Sequence, residues 1–326
     1  MFLRGIIHLP ALLFFSLFSF SQEDNIWYFG DQAGLDFSSG SPTALINGAL
    51  YTYDNSSTVS DSTGNLLFYT NGVSVWNKNH AVMANGSGLM GNNSGGQSAL
   101  IVRQPGTLVY YIFTTDAFNW SNGFRYSTVD MTLNGGLGDV VIKNTLLFSP
   151  PTEKIDGIYN CPGNSFWILT HEWNSDQFNA YKLSSAGLDT IPVTSNVGSV
   201  HTGGSPVGYN SLGQMTLSEN GTKLALGIYS LGNVEIFDFD TGTGIISNPI
   251  VLNGYTNVFG LAFSPNSNLL YITQWYGKDI IQFDISSGIQ ATIAASANTI
   301  GSVTGPGTNG YYVGYLQLGP DKKIYA

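Results

Sequence analysis

The stretch Ser218–Gly244, SENGTKLALGIYSLGNVEIFDFDTGTG, is written a second time at Ser264–Gly288, SPNSNLLYITQWYGKDIIQFDISSG. Each copy reads as a turn, a strand-like run, a short loop, a second run and another turn. Leu224, Leu226 and Ile228 alternate with smaller residues, and Val234 and Ile236 continue the pattern. Period-two alternation marks strands with one buried face. Ser264-Pro265 aligns with Ser218-Glu219, and Phe283-Asp284 aligns with Phe237-Asp238. Asn220-Gly221 fits a two-residue hairpin turn, because both residue types tolerate positive φ.

Looser copies open at Ser62–Gly64, Pro105-Gly106 and Pro162-Gly163, and another begins at Gly319-Pro320-Asp321. The steps from turn to turn are 42, 57, 58 and about 46 residues. Periods near ~40–50 residues with several strands each predict an all-β fold, a β-propeller of four-stranded antiparallel blades. Inner strands are expected at Ser57–Ser60, Ser98–Arg103, Asp156–Cys161, Gln214–Ser218 and Phe259–Ser264. Second strands are expected at Leu66–Thr70, Leu108–Thr114, Ser165–Thr170, Lys223–Ile228 and Leu269–Gln274, and outer strands at Val140–Phe148, Thr190–Val197, Ile246–Leu252 and Thr292–Ile300. Gly-rich Asn85–Gly96 reads as a crossing between blades. Ile26–Leu50 reads as a partial blade without a first strand, to be completed by an inner strand from the C-terminus. One N-terminal partial, five units and a last one cut short at Ala326 make about seven blades when complete. On this reading 22–326 is a single propeller, incomplete at its C-terminus, and the sequence is a fragment of a longer protein.

Met1–Ser21 carries Arg4, then an apolar run, then small residues, the pattern of a signal peptide cut near Gln22. The run is short for a membrane span, which needs about 20 residues. A secreted or cell-surface location follows. Of 326 residues, 40 are glycine and only 10% are charged, which suits a turn-rich all-β domain. No helix stands out beyond the leader. The net charge of −10 excludes nucleic acid as a partner, since phosphate needs a basic face. The single cysteine, Cys161, has no disulfide partner and reads as a small buried hydrophobe.

NIWYFG-x-x-AGLDFSSGSP (Asn25–Pro42), GNLLFYTNGVSVWNKNH (Gly64–His80), YYIFTTDA (Tyr110–Ala117), RYSTVDMTLNGGLGDV (Arg125–Val140) and QLGPDKKIYA (Gln317–Ala326) together resemble one family. It is the N-terminal propeller of large secreted Bacteroidota surface proteins that end in a gliding-motility-associated, type IX secretion sorting domain. The resemblance implies export to the cell surface and brings no catalytic residues. It also implies a sorting domain, and none stands in this sequence.

Antiparallel blades put tight first-to-second turns at one end of the ring. Second-to-third loops and blade-to-blade crossings share the other. Trp120, His171, Trp173, His201, Trp275 and Tyr276 then gather at the crossing end, with Glu172 beside them. Exposed aromatic side chains there suit a ligand such as a glycan or a surface protein. A metal site from His171, Glu172, His201 and Asp156 is disfavoured, because neighbours on a strand point to opposite faces. Asp238–Gly242 only faintly resembles a calcium loop and reads as a turn. Glu153, Asp156 and Glu172 are the carboxylates placed for hydrolysis, but no spacing rule selects them. No nucleophile elbow or phosphate-binding loop is present. The leading expectation is a non-catalytic interaction or adhesion module without a cofactor. The alternatives are an extracellular enzyme acting on polysaccharide or lactone, and a structural spacer with an apolar channel.

Overall fold

The computed structural model describes residues 22–118, 121–303 and 313–326. The leader Met1–Ser21 and Trp120 lie outside the described residues. Almost every element is a strand, and the strands form a β-propeller. A three-stranded sheet, Ile26–Phe29, Ala33–Asp36 and Thr43–Leu45, comes first. Blade 1 comprises Ser57–Ser60, Leu66–Thr70, Ser74–Asn77 and Val82–Ser87. Blade 2 comprises Ala99–Arg103, Val109–Thr114, Phe124–Asp130 and Asp139–Phe148.

Blade 3 has Pro151–Asn160, Ser165–Glu172 and Gln177–Ser184, with its outer strand in two pieces, Gly187–Leu188 and Val193–Asn196. Blade 4 is Met215–Leu217, Lys223–Ile228, Asn233–Asp240 and Ile245–Leu252. Blade 5 is Val258–Phe263, Leu269–Gln274, Asp279–Asp284 and Asn298–Ser302. A two-stranded sheet, Gln317–Leu318 and Ile324–Tyr325, ends the described chain. Inner and second strands therefore fall within a few residues of expectation.

The apolar faces meet between neighbouring blades, so the core is divided into sectors. Trp167, Leu169 and Phe178 of blade 3 pack on Leu224, Leu226 and Phe237 of blade 4. Ala225, Val234 and Ile236, from the other face of blade 4, pack on Leu261, Leu270 and Phe283 of blade 5. Each blade is thus buried on both faces, which is why the alternation is incomplete in strands such as Val258–Phe263. The first and last sheets meet through Tyr325, whose ring lies 5.6 Å from Trp27 and 5.5 Å from Phe37. That contact brings the two ends of the described chain together.

Four expectations are corrected. The turn at Asn220-Gly221 is longer than two residues. Gly221 N–H bonds Ser218 O and Ser218 N–H bonds Lys223 O, with Gly221 at φ +70°. Cys161 is exposed, because the inner strand of blade 3 stops at Asn160 and leaves it in the turn. Asn85–Ser87 completes the outer strand of blade 1, so the crossing starts only after it. A six-residue helix, Gln290–Ala295, stands where the outer strand of blade 5 was placed, and buries Ile293. Asp240 does cap a turn, accepting from Gly242 N–H and Thr243 O–H.

Candidate functional site: the crossing end of the ring

Six aromatic side chains from separate segments, Phe259 among them from the strand Val258–Phe263, form a chain of contacts around the crossing end. Phe118 stacks on Tyr209 at 5.3 Å, and Tyr209 meets Tyr229 edge-on at 5.6 Å. Phe259 links Tyr229 to Trp275, at 6.5 and 4.3 Å, and Tyr315 lies 4.2 Å from Phe259. Offset and edge-on contacts of this kind are the favourable geometries for rings. Tyr276 stands outside this chain against Trp275 and is 63% exposed. Tyr51 and Tyr53, on the crossing into blade 1, form a second exposed edge-on pair at 5.1 Å.

Inside the rim the mouth of the axis is polar. Gln97, before the inner strand of blade 2, bonds both backbone groups of Met215 in blade 4. Its Nε2 donates to Met215 O at 2.9 Å and its Oε1 accepts from Met215 N–H at 2.7 Å. Gln214 plays the same part toward the last sheet, donating to Leu316 O and accepting from Leu261 and Leu316 N–H. These amides clasp non-neighbouring sectors. A channel packed with Leu, Ile and Phe, as a spacer would have, is not what this end shows.

Glu153 lies beside that clasp, buried at 2% exposure. Its carboxylate accepts from Gly96 N–H at 2.5 Å and from Phe118 N–H. Burial raises its pKa to about 7; the two N–H groups and Lys154 oppose the rise, and Asp54 adds to it. Burial also lifts Asp54, on the crossing into blade 1, to about 6. A Cβ on Gly96 would collide with the Tyr315 hydroxyl and touch Glu153 Oε2, so glycine there lets the two side chains approach. Burial, then the charges of Glu153 and Asp54, raises Tyr315 well above its usual value.

Lys154 turns the other way. Its ammonium donates to Ser211 O and Leu212 O, both at 2.8 Å, and burial lowers its pKa to about 7. Behind it, His171 and His201 stack at 3.8 Å with rings 21° apart. His171 Nδ1 pairs with Glu172 O at 2.8 Å, a carbonyl that can only accept, so Nδ1 carries the proton. Burial first, then Lys154, lowers His171 to about 3, and His201 lies well below its usual value.

The residues singled out in the sequence therefore divide. His171 and His201 do come together, but both are 0% exposed and cannot face a ligand directly. Strand Ser165–Glu172 runs two residues further than expected and carries His171 into the blade 3–4 interface. Trp173 is 6% exposed, its N–H bonded to Pro150 O. Trp275 is half-buried against Phe259, and Tyr276 alone is well exposed.

Glu153, Asp156 and Glu172 are not gathered in one place. Asp156 accepts from Leu217 N–H at 2.7 Å, stitching inner strands of blades 3 and 4. Glu172 accepts from Gln177 and Asn179. Among the described residues no three His, Cys, Asp or Glu side chains are grouped to hold a metal. Sequence reasoning missed Asp54, Gln97, Lys154, Gln214 and Tyr315. Their shared signal is position: each lies at a crossing or the first residues of an inner strand.

No protein-family profile and no curated sequence matches the chain. Solved structures match it at low identity. A Bacteroides uniformis protein described as a candidate 6-phosphogluconolactonase aligns with TM-score 0.53 at 13% identity, over 90% of this chain and 83% of its own. A second protein so described, from Bacteroides fragilis, gives TM-score 0.47 at 15% identity, over 84% and 78%. At such identity the likeness to the Bacteroides uniformis protein speaks for the propeller fold and not for the chemistry.

Proposed function

We propose that the chain is an exported propeller that acts at the cell surface as a non-catalytic interaction module, holding a glycan or a surface protein on its crossing end. The aromatic chain from Phe118 to Trp275, with Tyr276 projecting from it, carries this reading. Tyr209, Trp275 and Tyr276, braced by the buried rings of Tyr229 and Phe259, offer rigid apolar faces with polar tips at low entropic cost, which is what gripping a ligand requires. The leader-like Met1–Ser21 and the resemblance to secreted Bacteroidota surface proteins support export, and surface labelling of intact cells tests it.

An array of glycans and surface proteins, probed with the purified chain, tests the binding half. Retention without turnover is expected, and Tyr276→Ala should weaken it by about 1 kcal/mol or more. Retention that Tyr276→Ala leaves untouched would move the site elsewhere.

A second reading, hydrolysis of a polysaccharide or lactone, has one observation in its favour. Glu153, at about 7, is protonated about half the time at neutral pH, as a general acid needs, while Asp54, at about 6, is mostly ionised there. A phosphorylated lactone fits the mouth poorly, because Lys154 is committed to the backbone carbonyls of Ser211 and Leu212. Release of product, abolished by Glu153→Gln, would establish this second reading in place of the first.

A further inference from the structure

Eight asparagines in the chain stand directly before a glycine, and seven of these pairs fall among the described residues. The dipeptide is chemically labile. Glycine has no side chain to keep its nitrogen away from the amide carbon of the preceding asparagine, so the two can close a five-membered ring. Whether they do depends on the freedom the fold leaves them.

In five of the seven the glycine is buried: Gly48, Gly72, Gly86, Gly123 and Gly221. Four of the asparagines before them are also pinned through their side chains. Asn47 accepts from Tyr28 O–H, and Asn71 accepts from Val73 and Ser74 N–H. Asn85 donates to Asp139, and Asn220 accepts from Ser218 O–H and Thr222 N–H. Asn122 has no such bond among the described residues, but a Cβ on Gly123 would collide with Leu146 and Phe148 O, so the backbone there is closely packed. Asn134 and Gly135 are both exposed, yet the Asn134 amide donates to Gly138 O at 3.0 Å.

Asn253-Gly254 is different. Both residues are exposed, on the crossing from blade 4 to blade 5. Among the described residues the Asn253 side chain makes no hydrogen bond, and the Gly254 N–H is likewise unbonded. Gly254 sits at φ +96°, and nothing lies within 4 Å of where a Cβ would stand. The two reacting groups are therefore free to turn toward each other without any local opening of the fold.

We propose that Asn253 is a site of self-catalysed modification, at which the Gly254 nitrogen turns a neutral amide of the crossing end into a carboxylate. Hydroxide or a buffer base takes the Gly254 amide proton, and that nitrogen attacks Asn253 Cγ. The N–Cγ bond forms and the Cγ–Nδ2 bond breaks. Ammonia leaves, its third hydrogen taken from water, which restores the base. Water then opens the succinimide ring at either carbonyl, giving aspartate or isoaspartate. The isoaspartyl form carries one extra carbon in the main chain of the crossing. That crossing holds two loops of the aromatic rim, through Tyr255 N–H to Gly232 O at 3.1 Å and Trp275 N–H to Asn257 O at 2.8 Å. The added charge and the added atom therefore arrive beside the loops that carry Tyr229 and Trp275.

The test incubates the full chain, folded and in urea, in mildly alkaline buffer. Peptides are mapped by mass spectrometry, and isoaspartyl methyltransferase labelling detects the isomer. In the folded chain Asn253 should convert first, about tenfold or more ahead of the other six described asparagines, because each of those must break a hydrogen bond or a packed contact before its ring can close. In urea the seven should convert at similar rates. Asn253→Gln, an exposed change, should remove the early product, since the longer side chain would have to close a larger and slower ring.

Conversion of any of the other six as fast as Asn253 in the folded chain would overturn the proposal. So would an early product that survives in Asn253→Gln, or folding that slows Asn253 as much as it slows Asn220. Aspartate alone, without the isoaspartyl form, would also overturn it, because direct hydrolysis of the side-chain amide gives no isomer.

Discussion

Glu153 and His171 are pushed in opposite directions by the same cause, burial, and their effects on stability run opposite ways with pH. Glu153 is raised from 4.5 to about 7 in the fold, so its contribution is complete below about 4.5 and is lost as pH rises through 7. His171 is lowered from 6.5 to about 3, so its contribution is complete above about 6.5 and is lost as pH falls toward 3. Urea unfolding of Glu153→Gln should therefore gain on the parent between pH 5 and pH 8, by at most about 3 kcal/mol. His171→Leu should flatten the loss of stability between pH 6.5 and pH 4. A Glu153→Gln profile parallel to the parent would show that the carboxyl is not held protonated. None of this was readable from the chain, because a side chain's burial depends on which blade meets it. His171 looked like a surface ligand for that reason, and Cys161 looked buried although its strand ends one residue earlier.

At the level of single elements the sequence was far more informative. Leu66–Thr70, Lys223–Ile228 and Leu269–Gln274 were all placed in full from alternation and turn residues. The alignment of Ser218 with Ser264 has a structural basis. Each hydroxyl donates to the Asn two residues on, at 2.8 and 2.7 Å, and accepts from the N–H five residues on, at 2.9 and 3.0 Å. Ser218→Ala and Ser264→Ala should each cost about 1 kcal/mol in urea unfolding, the usual worth of a hydrogen bond that folding completes. Outer strands were harder to read, since they face solvent on one side and need less apolar pattern. The helix Gln290–Ala295 escaped because it has one buried residue, Ile293, and six residues carry no period.

For the molecule as a ring, repetition made the architecture legible, because units of this size can hide their apolar faces only against each other. What repetition could not reveal is how the ring is drawn together. Gln97 and Met215 are 118 residues apart in the chain and bond across the mouth. Gln97→Leu should strand the backbone N–H and C=O of Met215 and cost about 2–3 kcal/mol, more than a surface change of the same size. Closure at the other seam falls to Tyr325. Tyr325→Ala should lower the melting temperature and speed proteolysis near Ile26–Asp36, since Trp27 and Phe37 lose their ring partner. Unchanged proteolysis there would mean the two ends do not depend on each other.

The seam between blades 1 and 2 differs from the others. Asp139 pairs in parallel with Ala84, and Asn85 reaches Asp139. Asn144 bonds Gly88 O and Met90 N–H, while Lys143 donates to Ser87 O. These links run along the outer edge, where the outer strands of blades 3 and 4 share, among the described residues, one bond, from Ile246 N–H to Ser195 Oγ. Oily contact fades on cooling and polar links do not fade with it. In a chilled, partly loosened ring, the segment from Ser57 to Phe148 should therefore persist as one double-width leaf while the remaining wedges separate singly.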